Sequence, residues 1–369
     1  PDLADVGSMH PLSVRDVASL LMIPVLFYLF LWLWLNSDPD LQPGLFDFEG
    51  DDTLGRESQG KAKDSNPDVE ELEGQLDLLG ERGLCPPESF RLDTMETCMP
   101  WLGCKDISNE VTVQHMLGQG AVKQVYKATW RGHTVAYSNL TQQTFLQDFL
   151  HGVEMLRNMQ QTSHAVQLVG SCHTTLLTEY YRLGSAENIE TILESEEFSK
   201  FNNIRIRLNI ALSYLEAINF LHNSPVGTRV MCDSNDLFKT LSQFLITEDI
   251  KLVLNDLDAL PEVNPEAQLF VKCGTREIVS DFVAPEQLWP FENEPFEDSR
   301  MPSYDEKTDI WKIPTVVDYL LGNVDGSDVV RLHLFKVHQQ CQNMDPKQRP
   351  SAKVLLGEYK RVRNMLFPQ

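Results

Sequence analysis

The sequence predicts an α+β fold of two lobes, a small β-rich lobe followed by a large helical one, behind an N-terminal transmembrane helix. Three observations predict it. Residues 17–35 form an uncharged apolar run, residues 111–179 are rich in β-branched and aromatic residues around a glycine-rich turn, and from Ile204 onward apolar residues recur at helical spacing. At 369 residues, 42% hydrophobic and 23% charged, the composition is that of a globular protein, which excludes a wholly disordered, collagen-like or coiled-coil chain.

The elements follow in order. Residues 1–16 are read as a cytosolic tail. Residues 17–35, VASLLMIPVLFYLFLWLWL, carry no charge, and at about 1.5 Å per residue they span ~28 Å, close to the hydrocarbon thickness of a bilayer. Trp32 and Trp34 sit where interfacial aromatics are favoured, and Pro24 is tolerated in such a helix. Asn36-Ser37-Asp38-Pro39 is no signal-peptidase pattern, so the run reads as a retained anchor. Arg15 before it, with no Lys or Arg again until Arg56, puts the N-terminus in the cytosol and the rest across the membrane. Residues 36–84 hold 14 acidic and 4 basic residues and read as an acidic disordered stalk. The net charge of the chain is −23, which repels phosphate backbones and argues against nucleic acid as a partner.

The remaining residues, 85–369, are read as one domain. Val111–Trp130 and Thr134–Leu140 read as strands, Phe145–Met159 as a helix, and Val166–Val169 and Thr175–Glu179 again as strands. Ile206, Ile210, Tyr214, Ala217, Ile218 and Leu221 form one helical stripe. The lobes divide at about residue 180, and their junction is the expected ligand cleft. The seven cysteines are an odd number, leaving at least one thiol unpaired. Cys85, Cys98 and Cys104 suit a disulfide in an oxidising compartment, with a zinc site as the competing reading and the pairing open. Cys273 and Cys341 read as core thiols or a disulfide. Asn139-Leu140-Thr141 is a glycosylation sequon, usable only in the secretory lumen.

A series of short motifs then falls into a familiar order. Gly118-Gln119-Gly120 opens a glycine-rich loop, Thr178–Tyr181 has the character of a hinge, and Asp256-Leu257-Asp258 stands in the place of D-F-G. Ala284-Pro285-Glu286, Asp309-Ile310-Trp311 and Arg349-Pro350 follow. Together they resemble the protein-kinase family over most of residues 85–369. Met231–Leu237, Asn255–Pro261 and Asp281–Trp289, with the cysteine pattern beginning at Cys85, are similar to the protein O-mannose kinase family. That resemblance implies a single-pass type II enzyme of the endoplasmic reticulum membrane with its catalytic domain in the lumen. It implies ATP and Mg²⁺, and phosphorylation of the 6-hydroxyl of mannose in an N-acetylgalactosamine–N-acetylglucosamine–mannose glycan on α-dystroglycan.

Phosphoryl transfer needs positioning and charge neutralisation more than covalent chemistry, so the charged parts decide whether the resemblance extends to activity. Ser138 stands where kinases carry the phosphate-binding Lys, and Gly152 where they carry its Glu partner, Glu154 lying on a different face. These departures alone describe a pseudokinase acting as a scaffold, which is the alternative reading. Lys123 opposes it. It follows Gly120 by three residues, and from a neighbouring strand its ammonium reaches the same phosphates, as in the with-no-lysine kinases. Gly118, Gly120, Lys123, Glu179 and Tyr181 are the expected nucleotide-binding residues. Asp233, in Met231-Cys232-Asp233, is the expected catalytic base, and Cys232 removes the arginine on which an activation-loop phosphate docks. Asp256 is the expected Mg²⁺ ligand. Phe238 occupies the usual position of the second ligand, an Asn, so Gln243 takes that role through a longer loop, with Asn235 or Asp236 as alternatives. Asp258 reads either as a second carboxylate near the metal or as a turn residue. Glu286 and Arg349 are expected to pair inside the protein, and His222 to pack in the core.

Overall fold

The computed structural model describes residues 85–368 apart from Gln161; the expected tail, membrane helix and stalk lie outside the described residues. Among the described residues no helix is long and apolar enough to cross a membrane.

The domain opens with a small hairpin, β1 (Ser89–Phe90) and β2 (Met99–Pro100), closed by a Cys85–Cys98 disulfide. Helix α1 (Cys104–Glu110) leads into a five-stranded antiparallel sheet of β3 (Val111–Gln119), β4 (Lys123–Trp130), β5 (His133–Leu140), β6 (Leu168–Cys172) and β7 (Thr175–Glu179), in the order β3-β4-β5-β7-β6. Between β4 and β5 the chain reverses in two residues, Arg131 and Gly132, both at positive φ (46° and 86°), which matches the right-handed twist of the flanking strands. Strand β6 lies two to three residues beyond the expected Val166–Val169. Its bounds are set by ladder partners, with Leu168 opposite Thr178 and Cys172 opposite Thr175, and β-branched content alone does not mark them. Cys104 bridges to Cys172 and so ties α1 to this edge strand.

Helix α2 (Leu146–Asn158) buries Phe149, Gly152, Val153, Met155 and Leu156. The helical lobe follows: α3 (Ile189–Glu194), α4 (Ile204–His222), α5 (Leu237–Leu241), α6 (Lys307–Leu321), α7 (Ser327–Cys341) and α8 (Ala352–Leu366). Asn203, Asp236 and Ser351 cap α4, α5 and α8 by accepting from a backbone N–H in the first turn, which relieves otherwise unpaired donors. Helix α4 has no exposed residue because α6, α8 and strand β10 surround it. Short strands β8 (Thr228–Arg229), β9 (Phe244–Ile246), β10 (Leu252–Leu254) and β11 (Glu262–Val263) form two antiparallel pairs, β9 with β10 and β8 with β11. One continuous core runs from Phe149 and Leu156 of α2 through Leu215, Ile310 and Tyr359, all essentially inaccessible. Each such side chain contributes about 1.5–3 kcal/mol.

Cysteine pairing resolves the alternatives. Besides the two bridges above, Cys232 joins Cys273, and Cys341 is a buried free thiol. Cys273 is therefore neither a core thiol nor the partner of Cys341. Cys232, expected only as a missing charge, is half of a covalent link. The expected pair of Glu286 and Arg349 is present, with Arg349 donating to both carboxylate oxygens at 2.5 and 2.8 Å. His222 packs as expected, its Nε2 3.1 Å from Asp309 Oδ2.

Candidate active site

Between the sheet and the helical lobe lies a cleft of about 1090 Å³. It is reached by the turn Gly120–Val122, by Lys123 at the start of β4, and by Asp233, Asn235 and Asp236 before α5. Asn255, Asp256 and Asp258, just after β10, form its floor, and the stretch Gly274–Ser280 forms the opposite wall.

Lys123 is the centre of the arrangement. Its Nζ donates to Asp256 Oδ1 at 2.9 Å and to Asp258 Oδ1 at 3.1 Å. Burial opposes a charge here, but the two carboxylates outweigh it and hold the ammonium above its ordinary pKa. Asp256 responds in the opposite sense: burial pushes its carboxyl up, and the Lys123 charge overcomes this and keeps it below the ordinary value. Asp258 is pushed up to about 7, first by burial and then by the neighbouring Asp256 charge, against the pull of Lys123. Its Oδ2 is buried with no hydrogen-bond partner. Ser138, at the position expected of the ordinary lysine, is buried and lies opposite Val125 of β4 and Leu176 of β7.

The structure explains Gly152. A Cβ there would lie 1.9 Å from Asp258 Oδ1. The carboxylate that α2 lacks is supplied from the far side by Asp258, and it occupies the space a side chain at residue 152 would need. Of the two readings of Asp258, the structure thus shows a carboxylate on Lys123. Glu154 is exposed on another face. Gly152→Ala is therefore expected to push Asp258 off Lys123 and to raise about tenfold or more the KM for the nucleotide that the protein-kinase resemblance implies, whereas Glu154→Ala leaves it within twofold; steady-state kinetics at varied nucleotide check both.

Asp233 is 42% exposed in the cleft, its carboxylate 2.7 Å from Lys239 Nζ of α5. Gln243 is buried, with its Nε2 on the Lys239 carbonyl at 3.1 Å and its own backbone carbonyl accepting from the N–H groups of Asn255 and Asp256. It stands beside Asp256 and braces it. Gly118 pairs with Val125 across β3 and β4, and the N–H of Gly120 donates to the Lys123 carbonyl at 2.8 Å, closing the glycine-rich turn over the cleft. Glu179 and Tyr181 are joined to each other, the Tyr181 hydroxyl donating to Glu179 Oε2 at 3.1 Å, and both line a second cavity of about 350 Å³. Their side chains thus brace the link between the lobes, and they do not line the Lys123 cleft. Sequence reasoning missed Lys239, Asn255 as a cleft residue, and the Gly274–Ser280 wall. Only the glycine at 152, an absent side chain on a buried helix face, signalled in advance that something else fills the space.

The sequon lies inside the sheet. Asn139 Oδ1 accepts from Thr175 Oγ1 at 2.8 Å, and the Thr141 hydroxyl is engaged by the Ala121 and Val122 carbonyls.

A family model described as the protein-kinase domain of FAM69 matches residues 146–278, from the start of α2 to the cleft wall. The chain is 50% identical over 285 residues to the human protein named protein O-mannose kinase, a match covering 76% of this chain and 81% of the human one. The protein of that name from Xenopus laevis is 49% identical over 292 residues, covering 78% of this chain and 83% of its own. The tyrosine-protein kinase Abl of Drosophila melanogaster is 28% identical over 148 residues, 38% of this chain and 9% of that one. With about half of the aligned residues identical over more than two thirds of such relatives, and with an aspartate, a lysine and a second aspartate converging in one interlobe cleft, the chain belongs to the protein O-mannose kinase family.

Proposed function

We propose that this protein transfers the γ-phosphoryl group of ATP to the 6-hydroxyl of O-linked mannose. The acceptor is an N-acetylgalactosamine–N-acetylglucosamine–mannose trisaccharide on α-dystroglycan, and the enzyme is a single-pass type II protein with this domain in the lumen of the endoplasmic reticulum. One observation carries the active reading over the scaffold: Lys123 Nζ sits in the cleft bound to Asp256 at 2.9 Å, restoring the cation that Ser138 removes. The names of the relatives support the acceptor. Three disulfides support an oxidising compartment.

The roles follow from the geometry. Lys123 moves its ion pair from Asp256 toward the phosphates as nucleotide enters, while Asp258 holds its other side. The turn at Gly118–Gly120 covers the phosphates and the chain at Glu179–Tyr181 borders the base. The oxygens of Asp256 fit a hard divalent cation, and since the Gln243 Nε2 is engaged by a carbonyl, the side-chain atom this amide has left for such an ion is Oε1. Buried Asp258 Oδ2, without a partner, adds to the surplus of negative charge that suits a cation here. Mg²⁺, when bound there, neutralises phosphate charge. Asp233 accepts a hydrogen bond from the mannose 6-hydroxyl and takes its proton.

The test is transfer from Mg·ATP to the synthetic trisaccharide. Parent protein and Ser138→Ala are expected to transfer at rates within threefold of each other, and Lys123→Ala to require far more nucleotide. Absence of transfer by the parent, or equal damage from both substitutions, overturns the reading.

A further inference from the structure

Helix α7 turns Val330, Leu334, Val337 and Cys341 into the core of the helical lobe. Its outer face lacks the polar cover usual for a surface helix. Val329 is 47% exposed, Leu332 73% and Phe335 59%, and among the described large apolar residues only Val279 stands further into solvent than Leu332. Their spacing of three residues sets all three on one side of the helix, with Leu332 in the middle. Asp328 and Lys336, four residues to either side of Leu332, lie on the same face and are exposed. Arg331, at the flank, approaches Asp328 at 3.5 Å but is turned back on its own chain, with Nε 2.6 Å from Asp318 Oδ1 and Nη2 2.7 Å from the Gly322 carbonyl. None of the five exposed residues lines the Lys123 cleft or the second cavity, so neither accounts for them.

The face has the same pattern from either end. About Leu332 stand an apolar residue on each side and then a charge on each side, and the two charges are opposite. Two such helices laid antiparallel about a two-fold axis at Leu332 bring Val329 of one copy against Phe335 of the other and Asp328 against Lys336, each contact occurring twice. A parallel pair sets Asp328 on Asp328 and Lys336 on Lys336, which like charges oppose. We infer that the outer face of α7 is the contact through which two copies of this chain associate, antiparallel and self-complementary. A contact built on one helix face buries less than the ~1,200 Å² of a standard interface, so the dimer is weak and reversible. The association does not depend on what the cleft phosphorylates.

Sedimentation equilibrium of the full chain in density-matched detergent tests it, at concentrations up to about 0.5 mM, where a Kd of ~100 µM still populates the dimer. The parent is expected to follow a monomer–dimer isotherm, and Leu332→Asp to raise Kd at least tenfold. Asp328→Lys and Lys336→Asp each set like charges together twice, and each is expected to raise Kd at least tenfold as well. Asp328→Lys/Lys336→Asp restores both pairs in exchanged form and is expected to return Kd to within about threefold of the parent. A parent that stays monomeric overturns the inference and gives the apolar stripe to a bilayer or a different protein. A dimer indifferent to Leu332→Asp, or a double exchange as weak as the single ones, overturns it too. Should Asp328→Lys unsettle the first turn of α7, seen as a lowered urea midpoint, an equal mixture of the two single variants decides: one carries Lys at both positions and the other Asp. They are expected to associate with each other at least tenfold more tightly than either does with itself, and failure to do so sinks the dimer.

Discussion

Asp233→Asn is expected to lower kcat by about 10²–10⁴-fold while leaving Mg·ATP affinity within threefold of the parent. The substitution keeps size and removes the basic oxygen. No neighbour is placed to replace it. Asp256 and Asp258 are engaged by Lys123, and Asp236 caps α5 by accepting from the Lys239 N–H at 2.9 Å. The backbone of the loop is held by Asp309 and Ser234, so its geometry survives the change. Single-turnover phosphate transfer together with calorimetric nucleotide binding separates the two effects. A variant that turns over at the parental rate removes Asp233 from the chemistry.

The second large effect is on folding. Arg349→Met is expected to cost about 3–5 kcal/mol, because it strands the half-buried carboxylate of Glu286. The Arg349 side chain is 0% exposed and donates to both Glu286 oxygens, to the Asn343 carbonyl and to the Lys307 carbonyl, with its guanidinium 5.0 Å from the Trp311 ring centre. Met retains volume and supplies none of these bonds. Replacing both partners, with Glu286→Gln in the Arg349→Met background, removes the stranded charge and is expected to recover part of the loss. Urea unfolding of the four proteins closes the cycle, and additivity of the two single changes counts against a direct pair.

Much of this was legible because the chemistry is intolerant of residue type. A lysine, two aspartates and an internal Arg–Glu pair announce themselves in short motifs, and the helical lobe shows in the stripe of α4. The hidden features are exchanges between distant residues. Asp258 fills a space that belongs to α2, 106 positions earlier in the chain, and a glycine at 152 does not say which residue arrives. Cys232 reads as a lost arginine until Cys273 is seen beside it. The Tyr181 hydroxyl donates to Glu179, a pairing that their position in the motif does not suggest. Strand ends such as those of β6 depend on which ladder partner is available, and side-chain character carries no record of that.

Cys341 has a use that its inert setting creates. It is the one cysteine outside the three bridges, fully enclosed in the helical core, and burial pushes its thiol up to about 12. A maleimide offered to the native protein therefore has a single target, reachable only when the helical lobe breathes open. The labelling rate, with no engineering of the chain, becomes a stopwatch for that opening.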